Sequence, residues 1–305
     1  MHLLISTWNF NQLLRSGELN LDSLATLALD RGFAGIEIMD RQLEHCDVDK
    51  LGDHFRKLRC EVILDVGCDL TLSQAESWRH EVDYVKGMLE IAVALGAAKV
   101  RIILGGQKIS VQKVFRNLRL RKQDESDEEA AAKEKTLLAA VANTRVLGRL
   151  AHAYRRRLGI AARGRHQKIQ RVAQALREIV PEAQRWQTTV VIENHWGISS
   201  DPIVVKAVID AIDSPWLRAC PDLSNWPKEV DPYQALALLA PVAAHVHANT
   251  TGFKKGGEER NIDYSRCLGI LKKCGYDGSI TIEYEGGGDV FAGISKTRDL
   301  VRKYW

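Results

Sequence analysis

TVVIENHWGISSDP (residues 189–202) opens on four consecutive β-branched residues, Thr189 to Ile192, stops on the carboxylate of Glu193, and runs straight into Asn194, His195 and Trp196. An unbroken β-branched run reads as a strand covered on both faces, as in a parallel sheet. Three similar runs follow, each ending in polar residues: WLRACPD (216–222) at Asp222, VAAHVHA (242–248) at His245 and His247, and SITIEY (279–284) at Glu283. Four precede it: LLIST (3–7), GIEI (35–38), EVILDV (61–66) and KVRIIL (99–104). Helical patterns separate them. LDSLATLALDRG (21–32) has apolar residues at three- and four-residue spacing with Gly32 placed to end the helix. The stretch 73–96 opens with the capping-box pair Ser73 and Glu76 and closes on Gly96. Eight strands alternating with helices predict an α/β fold, a (β/α)8 barrel, in one domain spanning 1–305.

The rhythm breaks once. The helix due after the fourth strand is read at 168–186, which leaves about sixty residues where such a loop usually needs two to six. The segment 107–167 is therefore an insertion, rich in helix formers with acids early and arginines late, and is expected to be helical. From Gln107 to Lys168 there are sixteen Lys/Arg against six Asp/Glu, a surplus of ten. With a formal charge of +4 overall, the remainder carries 4 − 10 = −6. An acidic barrel with a basic insert differs from a uniformly basic nucleic-acid binder, and no nucleic-acid motif accompanies the Arg155–Arg157 run. The insert reads as a solvated excursion, an oligomer contact that makes the chain a homo-oligomer, or a lid over the barrel mouth.

Hydrophobic residues at 45% and charged residues at 27% are those of an ordinary globular protein. The start, MHLLISTWNF, lacks the basic and apolar regions of a secretory signal, and no stretch reaches the length of a membrane span, so a cytoplasmic protein is expected. Six cysteines without a CxxC pair read as reduced structural thiols.

The C-terminal ends of barrel strands face a common centre, so polar residues there are the functional candidates. Glu193, Asp222, His245, His247, Glu283 and Glu285 meet that rule. One carboxylate after an apolar run is usually a cap or half of an ion pair. Four successive strands ending in metal-competent side chains are harder to explain without a bound cation, because apolar interiors do not tolerate unpaired charge. Three carboxylates and an imidazole suit Mn, Mg, Co or Fe(II), with Mn first and Zn also possible.

At these residues the sequence resembles the xylose isomerase-like barrels, a superfamily of sugar-phosphate isomerases and epimerases, ketose 3-epimerases, inosose dehydratases and endonuclease IV. GFAGIEI, LGAAKVRIILGG, VVIENHWGISSDP, PDLSN, HVHANT and YDGSITIEYEG carry the likeness in order, over nearly the whole chain except the insert. The resemblance implies one divalent metal ion on Glu193, Asp222, His247 and Glu283, with Glu193 and Glu283 as acid and base on opposite faces of a substrate carbon. It implies an isomerase or epimerase of a carbohydrate that abstracts a proton beside a carbonyl. Glu285 is expected on the other face of its strand, and His245 either behind the ligand set or as a satisfied buried histidine.

Departures limit the carry-over: Asn225 and Phe253 stand where ketose 3-epimerases place a His and an Arg. Lys254, Lys255 or Arg260 in the same loop is then a candidate for binding a hydroxyl, carboxylate or phosphate, and Asn225 another substrate contact. His195 is a candidate additional base. Trp8, Glu37 and Trp196 are candidates for stacking on, or hydrogen bonding to, a sugar. The second and third strands lack the histidines of a three-metal nuclease. A metal-dependent lyase or dehydratase acting on keto-sugars, keto-glycosides or inososes, C-glycosides included, is the runner-up; a non-catalytic barrel that docks a partner through its insert is the reading from a different class.

Overall fold

A computed structural model describes residues 2–105 and 165–305. Eight strands form one parallel sheet: β1 (Leu3–Ser6), β2 (Gly35–Met39), β3 (Glu61–Val66), β4 (Lys99–Ile102), β5 (Thr189–Glu193), β6 (Leu217–Cys220), β7 (His245–Thr250) and β8 (Ser279–Tyr284). Neighbours pair in chain order from β1 to β6, β1 also pairs with β8, and β8 with β7. Bridges Ala219–Ala243 and Asp222–His247 close the remaining seam between β6 and β7. The result is the expected (β/α)8 barrel. Most of the insertion read at 107–167 lies outside the described residues, and its helical, lid and oligomer readings with it.

The helices among the described residues are α1 (Asn11–Ser16), α2 (Leu21–Asp30), α3 (Val48–Leu58), α4 (Ala75–Leu95), α5 (Arg165–Arg185), α6 (Pro202–Ile212), α7 (Pro232–Leu239), α8 (Tyr264–Lys273) and α9 (Val290–Tyr304). Their starts follow from short polar side chains. Asn20, Asp47, Asp201, Asp231, Asp263 and Asp289 each accept from a backbone N–H of the first turn. The capping box expected at Ser73 and Glu76 does not form: α4 begins at Ala75, one residue too late, and Gln74 caps it without a side-chain bond.

Strand ends also move: β4 stops at Ile102 rather than at Leu104, and two further shifts fall at prolines. β6 stops at Cys220 because Pro221 has no N–H to give the ladder. The 242–244 portion of the seventh run is not strand; Pro241 holds Ala240–Val242 in a 3-10 turn, and β7 starts at His245 and runs to Thr250.

Alternation along the strands divides the molecule into two interiors. Ile5, Ile36, Leu64, Val100, Ile192 and Ile282 belong to the apolar layer between sheet and helices, all of them buried. The opposite face of the same strands carries Glu37, Asp65, Lys99, Arg101, His245 and His247, which meet across the barrel axis.

Candidate active site

A polar column fills the barrel. At its lower end the Glu61 carboxylate pairs with exposed His2 (3.0 Å) and with Lys99 (3.7 Å), and Lys99 Nζ donates to Ser279 Oγ (3.3 Å). Ser279 Oγ reaches His245 Nδ1 (3.4 Å), while His245 Nε2 meets Thr281 Oγ1 (2.9 Å) and Glu37 Oε2 (3.1 Å). Glu37 Oε2 also lies 2.9 Å from His247 Nε2. One carboxylate thus orients two imidazoles, and burial drives the neutral form of His245, down to about 4. Burial also opposes charge on Glu37 and His247, but their mutual attraction wins, so Glu37 is held well below the usual carboxylate range and His247 well above the usual imidazole one.

With Nε2 occupied, His247 turns Nδ1 toward the barrel mouth. Glu193 Oε1 lies 3.6 Å from it, Glu283 Oε1 3.7 Å and Asp222 Oδ2 3.9 Å. The four residues that the sequence marks as ligands are therefore brought to one point from β5, β7, β8 and the residue pair after β6. Separations of that size, below twice a bond of about 2.0–2.2 Å, fit donors sharing a cation.

Local hydrogen bonds decide which atoms face the point. Asp222 Oδ1 accepts from Ser224 N (2.6 Å), Ser224 Oγ (2.9 Å) and Asn225 N (2.8 Å), which leaves Oδ2 inward. Asn194 clamps the Asp222 backbone, donating to its carbonyl (3.1 Å) and accepting from its N–H (2.7 Å). Asp222 Oδ2 and His247 Nδ1 are buried without a hydrogen-bond partner. Glu193 Oε2 lies 2.6 Å from Arg101 Nη1 but off the line of a hydrogen bond. Burial pushes the Glu193 carboxyl up to about 8 against the pull of Arg101, and Asp222 up to about 7 against that of His247. Carboxyls so reluctant to ionise, beside an imidazole with a bare nitrogen, are what a divalent cation would stabilise, so the residues fit a metal ion. Cys220, His245 and His247 form a second close cluster, but His245 is already hydrogen bonded through both nitrogens and burial holds the Cys220 thiol up at about 12.

A cavity of about 620 Å³ opens above this point, lined by Glu193 and Glu283 among others. Of the other residues singled out in the sequence, Trp8, His195, Trp196 and Asn225 line it. The His195 ring packs edge-on against Trp196, centroids 4.0 Å apart. Asn225 Nδ2 donates to Glu193 Oε1 at 3.4 Å.

Three expectations are corrected. Glu37 lies beneath the cavity rather than in it, its carboxylate taken up by His245, His247 and Arg101. Lys254, Lys255 and Arg260 do not line the cavity: their loop folds on itself through Lys254 N to Glu258 O (2.7 Å) and Arg260 N to Gly252 O (3.1 Å). Glu285 does line it, because a two-residue step returns to the same side of a strand and its N–H is anchored on Thr250 O at 2.9 Å.

Arg101 is the residue the motifs miss. Its guanidinium bridges Asp65 (2.5 Å), Glu193 (2.6 Å) and Glu37 (3.3 Å), and although burial disfavours its charge, the carboxylates around it hold it well above its ordinary value. The available signal is an arginine inside KVRII, a position that would otherwise be apolar.

The sequence profile of the xylose isomerase-like TIM barrel matches residues 25–304. An L-ribulose-5-phosphate 3-epimerase, UlaE, of Escherichia coli (strain ATCC 8739) is 31% identical over 144 residues, covering 43% of this chain and 49% of the relative. The chain thus spans about half the length of the curated relatives it matches. Among solved structures, a D-tagatose 3-epimerase-like protein superposes with a TM-score of 0.67 at 17% identity, covering 100% of this chain and 97% of that one. A 3-keto-D-glucoside 4-epimerase, YcjR, of E. coli does so with 0.68 at 14% identity, covering 99% of each.

Proposed function

The chain belongs to the xylose isomerase-like TIM barrel family, and from that premise we propose that it is a divalent-metal-dependent isomerase or epimerase of keto-sugars, working by proton abstraction beside a carbonyl. The observation that carries this reading is the convergence of Glu193, Asp222, His247 and Glu283, with Asp222 Oδ2 and His247 Nδ1 buried and lacking partners. These four residues would hold one ion, Mn first, which when bound would polarise a substrate carbonyl.

The chain's own groups do the proton work. Glu193 and Glu283 approach from β5 and β8, on either side of His247, and both line the cavity. One carboxylate takes the proton from the carbon beside the carbonyl, and the C–H electron pair moves into the enediolate double bond. The other returns a proton to the opposite face, which inverts the carbon; delivery to the neighbouring carbon interconverts aldose and ketose instead. Proton and electron pair both return, so no oxidant is consumed. The epimerase named among the relatives supports inversion as the outcome.

The test is metal content by elemental analysis, followed by solvent-deuterium exchange into fructose, fructose 6-phosphate and L-ribulose 5-phosphate. Near-stoichiometric metal that disappears in a Glu193→Gln/Glu283→Gln variant, with exchange in at least one sugar, is expected. Absence of metal even after Mn addition would sink the reading.

His195, in the same cavity as Glu193, favours one second reading: elimination from a keto-glycoside or inosose, with His195 serving the leaving group. Release of water or aglycone distinguishes it from epimerisation.

A further inference from the structure

The cavity walls differ sharply from what a phosphate ester needs. Asp40, Asp65, Glu193, Glu283 and Glu285 line it, and Glu37 and Asp222 lie directly below. Among the described residues, two guanidinium groups stand against these carboxyls, Arg41 and Arg101. Arg101 is already shared among Glu37, Asp65 and Glu193. Lys254 and Arg260, which the sequence nominates for a phosphate, stand off the cavity. Even a divalent cation at the ligand point leaves carboxylates in excess among the described residues, and a phosphate dianion entering there meets like charge.

The mouth offers a different kind of contact. Trp8 is 46% exposed, unusual for so large an apolar side chain, and the Arg41 guanidinium lies over its ring at 5.7 Å. Trp196 and Trp226 line the cavity as well, each half-buried and with its indole nitrogen buried in the wall. Broad apolar faces of this kind match a sugar or aromatic ring, which presents an apolar face to stack on them. The cavity, about 620 Å³, is on the scale that holds a drug-sized ligand and exceeds a single sugar ring.

We propose that the substrate is an uncharged keto-glycoside: its keto-sugar ring sits over Glu193 and Glu283, and its second ring stacks in the mouth formed by Trp8, Trp196 and Trp226. This rests on the keto-sugar reading above and narrows its substrate class.

The test uses the Mn-loaded full chain and a set sharing one carbonyl position: 3-keto-glucose, its 6-phosphate, and phenyl 3-keto-β-glucoside, each followed by deuterium incorporation from solvent. The glycoside is expected to exceed the phosphate ester in kcat/KM by about tenfold or more. Trp8→Ala, at an exposed position that the fold tolerates, should lower the glycoside-to-free-sugar ratio of kcat/KM about tenfold, mainly through KM. Equal or better exchange with the 6-phosphate overturns the inference while leaving the keto-sugar reading in place, as does a ratio unmoved by Trp8→Ala. Exchange with none of the three, nor with the ketoses tested above, removes both.

Discussion

The same eight strands face two interiors that obey opposite rules. Outward, toward the helices, Ile5, Ile36, Leu64, Val100, Ile192 and Ile282 form a continuous apolar layer in which another apolar residue of similar size would serve. Inward, Glu37, Arg101, His245 and His247 are buried as deeply, yet each depends on a particular partner across the barrel. Burying such groups costs stability unless every partner is present. The outer layer accounts for the fold, and the inner column is tolerable only as the support of a site.

The strongest way to break that division is to alter the mouth of the inner column. Glu193→Gln and Glu283→Gln are each expected to lower deuterium exchange into the substrate by about 10⁴-fold, since each removes a proton-transferring group and a metal donor together. Their far-ultraviolet circular dichroism should match the parent, because neither touches the apolar layer. A variant that unfolds would show that the inner column holds the barrel together.

Next in size is a contrast between Arg101→Met and Ile282→Ala, one in each interior. Loss of Arg101 leaves Glu37, Asp65 and Glu193 facing one another without their common cation, a destabilisation of about 3–5 kcal/mol in urea unfolding of the metal-free protein. Added Mn should recover part of it through Glu193. Ile282→Ala opens a cavity costing about 2–5 kcal/mol, with metal affinity unchanged. Equal rescue of both variants by Mn would erase the distinction.

These two regions were unequally legible in the sequence. Apolar runs at 3–7, 35–38, 61–66 and onward declare the outer layer because alternation is local, and two of the misplaced ends fall at Pro221 and Pro241, whose missing N–H groups interrupt a ladder that the residue types alone would continue. The ligand set was legible because each member stands in the polar tail of an apolar run, at or near the end of its strand. Arg101, Asp65 and the supporting role of Glu37 were not, since their partners lie on other strands, as far apart in the chain as Glu37 and His247. Glu37 therefore reads as a substrate contact until the structure shows both imidazoles upon it.

A smaller effect follows at Glu37. It fixes His247 through Nε2 and so leaves Nδ1 for the ion. Glu37→Gln should weaken Mn affinity about 10–100-fold, measured by competition with a chelating dye, while a Trp8→Ala control leaves it alone. Unchanged affinity would mean that the His247 orientation is set by packing.

The gentlest probe is pH. Burial raises Glu193 to about 8 and Asp222 and Asp65 to about 7 in the folded, metal-free chain, against ordinary carboxylate values when unfolded. Between those limits the folded state holds protons that the unfolded state has released. Their contribution to stability is therefore fully present below the unfolded values and is lost as pH rises through the folded ones, over roughly pH 5–8. Each such group adds a slope of at most about 1.4 kcal/mol per pH unit. The low values of Glu37 and His245 act with the opposite sign: Glu37 only as pH falls below the ordinary carboxylate range, and His245 up to the ordinary imidazole value of about 6.5, where it offsets one of the three carboxyls. Metal-free protein should thus lose unfolding free energy from pH 5 to 8, with a shallower loss in Glu193→Gln. Mn should reverse the trend, because ion binding favours the deprotonated carboxylates and gains affinity as pH rises. A metal-free profile that is flat, or that climbs through this window, would mean that the inner column already carries its charges as settled ion pairs, leaving a cation little to stabilise there.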